Sequence, residues 1–589
     1  MTDIVTAKRV ATAKHLVAAA VSAAMARVLP AGLAGGDPLV RRSERADFQS
    51  NVALAAAKRL GRPPHEVARQ LADALDGRGV SASVSGPGFL NLTVPDAVVW
   101  SRIGERATAE RLGVGAPLTG ERIVVDYSAP NIAKEMHVGH LRSTVIGDAL
   151  ARVLDFLGAD VIRQNHLGDW GTQFGMLIQY LDEGAEGDNA AAGIATLDAL
   201  YRASQARFEA DTDFADRARA RVVALQTGDA STLAVWQKLV EESERAFQAL
   251  YRRMGVLLTL ADSAGESTYN RLLSGVVDEL TTAGIAVESD GALCVFFDGI
   301  TGPDGAPVPL IVRKKDGGFG YAATDLATLR HRIRDLKATR ILYVVDARQA
   351  MHFRMIFDTA RRAGWLTDEV AAIHVPFGTV LGPDGRPFRT RSGGTVPLSG
   401  LLDAAVDRAR AVVLEKASVL EKAPALAPDE LERVIQAAGI GAVKYAELST
   451  SRTKDYSFDV DRMVSLTGNT GVYMQYAHAR IRSILRKVPD QAVEIDPTLP
   501  LHPAERALAL ALDEFAETLA DVAGTLEPHR LCGYLFGLAR AYTDFYEACP
   551  VLRAEPAPVR ANRIALCQLT GHTLTAGLGL LGIQAPQRL

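Results

Sequence analysis

Residues 122–157 constrain the fold of this chain more than any other stretch. Arg122-Ile-Val-Val-Asp-Tyr127 is short, apolar and β-branched, which predicts a buried strand. From about Leu141 to Leu157, apolar residues recur at helical spacing (Leu141, Val145, Ile146, Ala149, Leu150, Val153, Leu154, Leu157), and Gly158 supplies the stop. Between them lies Ser128-Ala-Pro-Asn-Ile-Ala-Lys134-Glu-Met-His137-Val-Gly139-His140. A turn that opens a helix offers unpaired backbone N–H groups and the positive end of the helix dipole. Imidazoles placed there can hydrogen-bond the charge that develops on a reacting phosphoryl group. The chemistry implied is nucleotidyl transfer; the plainer reading is that His137 and His140 only satisfy a loop.

The rest of the chain fills in around that unit. At 589 residues it is too long for one core. From about 118 to 395 strands and helices alternate, including Arg340-Ile-Leu-Tyr-Val-Val345, which predicts a parallel sheet with helices on both faces. A charged, mostly helical insertion near 181–285 interrupts this domain. Residues 1–117 mix helices with a terminal strand, 396–459 read as a helical connector, and 460–589 as a helix bundle, with Lys422-Ala-Pro-Ala-Leu-Ala-Pro-Asp the clearest break before it. The fold class is multidomain α/β. Lys8, Arg9, Lys14, His15 and Arg27 punctuate the first apolar stretch, so it reads as an amphipathic helix rather than a signal or membrane segment. Four cysteines without Cys-x-x-Cys or zinc spacing point to a reducing cytoplasm and no structural metal. The net charge of −4 argues against a globally basic nucleic-acid binder, yet a large RNA needs only a local basic face.

His137-Val-Gly-His140 is a variant of the His-Ile-Gly-His signature of class I aminoacyl-tRNA synthetases. The longer string, from Asp126-Tyr-Ser-Ala-Pro-Asn131 through the signature to Asn165-His-Leu-Gly-Asp-Trp-Gly-Thr-Gln-Phe-Gly175, closely resembles the arginyl-tRNA synthetases, over nearly the whole chain. The resemblance implies a Rossmann-type catalytic domain, an additional N-terminal α+β domain that meets the tRNA D-loop, and a C-terminal anticodon-binding bundle. It implies ATP-dependent activation of L-arginine, Mg2+ accompanying ATP, and transfer to tRNA(Arg), by a cytoplasmic monomer that needs bound tRNA even for activation. No editing domain is evident.

The same resemblance distributes roles. His137, His140 and Lys134 face the phosphates. The second class I signature, Lys-Met-Ser-Lys-Ser, is absent; Gly382-Pro-Asp-Gly-Arg386-Pro-Phe-Arg389-Thr-Arg391-Ser-Gly-Gly stands in its place, and Lys134 or one of Arg389 and Arg391 supplies the missing charge. A basic loop that touches only RNA is the alternative. Gly139, Gly168, Asp169 and Gln173 join the histidines around ATP, with Asn165, His166 and Trp170 beside them, although Trp170 could be plain core. Asp126, Asn131, Tyr321, Asp325 and Gln349 form the arginine pocket. A guanidinium calls for carboxylates in forked geometry and an aromatic partner, so Tyr321 and Asp325 suit that end, Asn131 and Gln349 the α-amino or carboxylate end, and Asp126 either. Asp325 could instead cap a helix over Leu326–Leu336. Phe89 and Asn91 match the D-loop contact, with Phe89 as strand core the alternative. Tyr473 and Tyr476, one helical turn apart beside Arg480, match the anticodon contact, whereas Tyr542, Phe545 and Tyr546 read as core. Two other functions compete: a synthetase-like ligase that joins an amino acid to a small-molecule acceptor, and a catalytically dead RNA-binding protein.

Overall fold

The computed structural model describes residues 11–77, 79–184, 193–302, 305–382, 384–388, 396–419, 426–488 and 494–589. Its centre is a four-stranded parallel sheet in the order Ala371–His374, Arg340–Tyr343, Arg122–Asp126, Asp160–Gln164. Strand order reverses between the second and third of these, which opens a crevice at their carboxyl ends, where Asp126 stands opposite Tyr343 and Gln164. Both predicted strands are shorter than expected, ending at Asp126 and Tyr343. The first stops because Ser128 and Ala129 adopt φ of 75° and 49°, which no ladder can continue.

The signature helix runs Val138–Phe156, starting earlier than the apolar spacing predicts. His137 is its N-cap, accepting the Gly139 N–H on Nδ1 at 3.0 Å, and His140 lies inside the first turn. Apolar spacing also understates its burial: Arg142, Ser143, Thr144 and Asp148 are buried with the apolar face. The helix passes through the middle of the molecule, and its charges meet partners from other segments. Arg142 Nε donates to Glu447 at 2.6 Å, with both side chains 1% exposed or less. Asp148 accepts the Leu257 N–H at 2.7 Å and Arg152 Nε at 2.9 Å.

The expected insertion is helical, with helices Gly193–Ala210, Thr212–Thr227 and Ala230–Met254. Residues 13–113 build an antiparallel sheet, in the order Val40–Arg42, Phe48–Ser50, Phe89–Thr93, Ser81–Ser85, with helices that include Ala13–Val28, Val52–Leu60 and Pro64–Leu75. Long helices Leu398–Val419 and Pro428–Ser449 lead to a bundle of Gly471–Leu485, Pro503–Asp513, Phe515–Thr525, His529–Ala548 and Ala557–Leu580. The N-terminal part sits on this bundle. Arg106 Nε meets Asp513 at 2.8 Å with both side chains buried, Arg506 meets Asp47 at 2.6 Å, and Trp100 Nε1 donates to the Leu499 carbonyl at 3.0 Å. Among the described residues no helix is long and apolar enough to cross a membrane.

Candidate active site

The turn ahead of the signature helix is strained and braced. Ser128, Ala129 and Ala133 all have positive φ, a cost that persists only where surrounding contacts over-determine the backbone. Here they do: Ser128 N–H donates to Ser143 Oγ at 2.9 Å, Ala129 N–H to Asn165 Oδ1 at 3.0 Å, and Ala133 N–H to Ser243 Oγ at 2.9 Å. Tyr251 adds its hydroxyl, 2.7 Å from Ser128 Oγ and 3.1 Å from Asn165 Nδ2. Ser243 and Tyr251 belong to the helix Ala230–Met254, so the insertion forms part of the site's foundation.

Within the turn, the His137 N–H donates to His140 Nδ1 at 3.1 Å, and the two rings lie 4.0 Å apart. Each imidazole accepts a backbone N–H on Nδ1, which places the proton of the neutral ring on Nε2. Burial, and then the neighbouring His137, lower the pKa of His140 to about 3, so it remains a neutral N–H donor throughout the physiological range. Gly139 is required by this packing, since a Cβ there would lie 2.8 Å from His137 Cε1. Lys134 extends to the helix Gly193–Ala210, where its ammonium lies 4.2 Å from the centre of the Tyr201 ring.

Residues 165–173 run beside the turn. A Cβ on Gly168 would sit 2.2 Å from Asn131 Oδ1, so the two loops pair closely, with Ile132 N–H on the Gly168 carbonyl at 3.0 Å. Gln173 is half-buried at the start of the helix Thr172–Asp182. Asp169 is buried and turned away from the turn, accepting Ser267 N–H at 2.9 Å and Ser267 Oγ at 2.5 Å, and its carbonyl accepts Trp236 Nε1 at 2.8 Å. Trp170 is half-buried, edge-on to Trp236.

Across the crevice, the helix Tyr321–Arg334 starts at Tyr321 with Gly320 as its cap, which corrects the expectation that Asp325 caps a helix beginning at Leu326. Asp325 lies one turn inside, on the same face as the exposed Tyr321. Its carboxylate accepts His352 Nε2 at 2.5 Å, from the helix Ala350–Arg362. Glu266 stands near Asp325, in the short 3-10 turn that Asp169 ties down. Burial, then the nearby charges of Asp169 and Asp325, push Glu266 up to about 8. Carboxylates crowded together this way are relieved by a cation. Asp126 is partly committed within the protein, since Oδ2 accepts Arg332 Nη2 at 2.8 Å; that buried arginine also reaches Gln164 at 2.6 Å and lies 5.0 Å from the centre of the Tyr343 ring. Asn131 and Gln349 are exposed on the two sides of the crevice mouth. Glu266 and His352 carry no local sequence signal.

Arg389 and Arg391 lie outside the described residues. The flanks of their loop are described: Phe388 stacks on Phe458, and on the far side Val396 accepts the Val138 N–H at 3.0 Å while Leu398 N–H donates to Met136 at 2.8 Å. The described flank at Val396–Leu398 thus lies directly against the signature turn.

Two further aromatic sites lie outside the catalytic sheet, one in the N-terminal part and one in the bundle. Phe89 is half-buried and lines a concavity of about 410 Å³ with Arg41, Arg42, Arg45 and Gln49. Asn91 accepts Gln49 Nε2 at 3.0 Å and donates to Ser85 Oγ at 2.9 Å. In the bundle, Tyr473 and Tyr476 are half-buried on the helix Gly471–Leu485, with Tyr473 edge-on to Phe536. Tyr542 and Phe545 are core as expected. Tyr546 packs at the edge of that core, half-buried and stacked on Tyr542, and the Arg480 guanidinium lies 4.5 Å from its ring centre. The last residues run along this helix, with Gln475 on the Gln584 carbonyl at 2.9 Å and His478 on that of Pro586 at 3.0 Å.

Residues 110–460 match the family model described as tRNA synthetases class I (R), catalytic domain; residues 12–94 match the arginyl tRNA synthetase N terminal domain, and 474–589 the DALR anticodon binding domain. The arginine–tRNA ligase of Frankia casuarinae is 63% identical, covering 99% of this chain and all of that one, and that of Thermobifida fusca is 55% identical over 94% and 95%. Among solved structures, the arginyl-tRNA synthetase of Plasmodium falciparum superposes with a TM-score of 0.82 at 27% identity (99% of this chain, 100% of that one). That of Thermus thermophilus does so with 0.78 at 26% (98% and 100%).

Proposed function

The chain belongs to the class I arginyl-tRNA synthetases, and we propose that its three residue clusters divide the work of that family's reaction. The reaction itself is arginine–tRNA ligation: the carboxylate oxygen of L-arginine bonds to the α-phosphorus of ATP, the bond to the β-phosphate breaks, and pyrophosphate leaves with the electron pair. The arginyl group then passes to the terminal adenosine of tRNA(Arg), releasing AMP.

In this reading His137 and His140 donate their Nε2 protons to the phosphates, helped by the N–H groups of the helix start at Gly139. Lys134 supplies positive charge to the departing pyrophosphate. Arg389 and Arg391 share that task from the loop that stands where the family's second signature would be. Gly168 and Gln173 edge the adenosine. The carboxylate of Asp169 holds the Glu266 turn and does not itself meet the nucleotide. Asp325 and Glu266 receive the guanidinium with Tyr321 beside them, Asn131 and Gln349 hold the α-amino and carboxylate end, and Asp126 shapes the pocket floor through Arg332. The signature turn presents His137, His140 and Lys134 with Glu135 as its one carboxylate, and a single carboxylate is no full ligand set, so Mg2+ would be held mainly by the ATP phosphates and water, where it neutralises charge. Phe89 and Asn91 read the D-loop, and Tyr473, Tyr476 and Arg480 the anticodon. The enzyme works as a cytoplasmic monomer, with the chain divided at 1–117, 118–395, 396–459 and 460–589.

The observation that carries the amino-acid assignment is the pair Asp325 and Glu266, two neighbouring carboxylates of which Asp325 meets the His352 imidazole. ATP–pyrophosphate exchange across the twenty amino acids, with and without total tRNA, should respond to arginine alone and depend on tRNA. Asp325→Ala should lose arginine binding far more than ATP binding, measured by calorimetry. Equal loss of both would remove Asp325 from the pocket, and exchange with another amino acid would favour a different acid or acceptor.

A further inference from the structure

Lys134 has one of the most mobile side chain types, and an unpaired lysine in an open crevice would spread its charge over many rotamers. Among the described residues, the Tyr201 ring confines it, at 4.2 Å. Tyr201 comes from the insertion, on a helix fixed by buried Leu197 and by buried Ser204, whose hydroxyl donates to the Tyr201 carbonyl at 2.8 Å. The Tyr201 phenol also lies near the arginine side of the crevice, since burial, Glu266 and Tyr201 together raise the Tyr321 hydroxyl. Tyr201 therefore stands at the seam between the phosphate and guanidinium clusters. An aromatic face differs from a carboxylate as a holder: it attracts the ammonium without neutralising its charge, and it releases the ammonium at small cost.

We propose that Tyr201 is a positioning residue for adenylate formation, its ring face holding the Lys134 ammonium beside the signature turn so that the charge is in place when pyrophosphate departs. The proposal rests on the reading of Lys134 as phosphate-facing. The insertion then contributes directly to the chemical step, beyond bracing the turn. The phenol hydroxyl has no part in it, and the ring is sufficient.

The test is ATP–pyrophosphate exchange by the full-length enzyme with saturating arginine and total tRNA, comparing Tyr201→Leu, Tyr201→Phe, Lys134→Met and the double variant Lys134→Met/Tyr201→Leu. Loss of a cation–π contact should lower kcat in Tyr201→Leu by roughly three- to thirty-fold, with the KM for ATP changed less than about twofold if ground-state binding is untouched. Tyr201→Phe should work at the wild-type rate, and the double variant should be no slower than Lys134→Met alone. If Tyr201→Leu fails to fold, Tyr201→Gln, better suited to a half-exposed helix position, takes its place. A Tyr201→Phe variant as slow as Tyr201→Leu, a Tyr201→Leu variant at full rate, or single effects that multiply in the double variant would each overturn the role of Tyr201 while leaving Lys134 intact. A wild-type rate in Lys134→Met would instead show that Lys134 does not face the phosphates, and the proposal would fall with that reading.

Discussion

A glutamate that holds its proton near neutrality gives the proposed arginine pocket a pH signature. Glu266, pushed up to about 8 by burial and by Asp169 and Asp325, is mostly protonated at pH 7 in the empty site. A guanidinium favours the ionised form, so arginine binding should release a proton below about pH 8. Affinity should rise with pH towards that value by up to roughly tenfold per unit, and then level off. Titration calorimetry in two buffers of different ionisation enthalpy reads the proton directly, and Glu266→Gln should abolish the release. Identical heats in both buffers would take Glu266 out of contact with the ligand. The same shift has a stability consequence of fixed sign. The folded pKa lies above the ordinary 4.5, so the contribution of this group is complete below about pH 4.5 and is lost as pH rises through about 8. His140, lowered to about 3, behaves oppositely: its neutral form is favoured in the fold, and stability falls as pH drops from about 6.5 towards 3.

The signature helix Val138–Phe156 is the element on which the parts converge. It begins at the signature turn, packs against the strands Arg122–Asp126 and Asp160–Gln164, and is tied through Arg142 to Glu447 on the helix Pro428–Ser449; Arg142 also donates to the Lys454 carbonyl at 2.8 Å. Lys444, one turn before Glu447, donates to the carbonyls of Met254 at 2.9 Å and Gly582 at 2.7 Å, joining the insertion and the C-terminal segment to the same helix pair. Burial brings Lys444 down to about 8. Breaking a buried ion pair strands the remaining charge, so Glu447→Leu should destabilise the protein by about 3–5 kcal/mol. Arg142→Leu with Glu447→Leu should recover part of that loss, because the stranded charge goes with it. Denaturant unfolding monitored together with exchange activity tests this. Strictly additive losses would mean that the two residues do not act as a pair.

At the scale of the whole molecule, the two aromatic sites assigned to RNA lie on different domains, and a seam of charges fixes one domain against the other. Arg106–Asp513 is its buried centre, flanked by Arg506 with Asp47 and Asp96 and by Arg42 with Glu514 at 2.9 Å. Asp513→Ala leaves the Arg106 guanidinium buried with, among the described residues, the Leu112 carbonyl at 3.2 Å as its remaining partner, a loss of about 3–5 kcal/mol at the seam. Limited proteolysis should then cut more readily near residues 94–118, and tRNA affinity should fall, while exchange at saturating tRNA stays near the wild-type rate because the crevice is not involved. Unchanged proteolysis would show that the other contacts hold the seam without this pair.

Motifs written in consecutive residues were legible from the amino-acid sequence alone. The strand, turn and helix around His137 and His140, and the alternation that predicts a parallel sheet, depend on short-range geometry, in which neighbours in the chain are neighbours in space. Tertiary structure alone brought Glu266, His352 and Tyr201 to the crevice from separate segments, with no spacing rule to link them. It also decided the fate of charges that periodicity ignores. Arg142 and Asp148 sit on a helix that reads as one-sided, yet they are buried because partners from distant segments meet them there. Asp169 and Asp126, both expected at ligands, bond mainly to Ser267 and Arg332, respectively. A carboxylate's role depends on which donor reaches it first in three dimensions, and that is a property of chain closure rather than of local sequence.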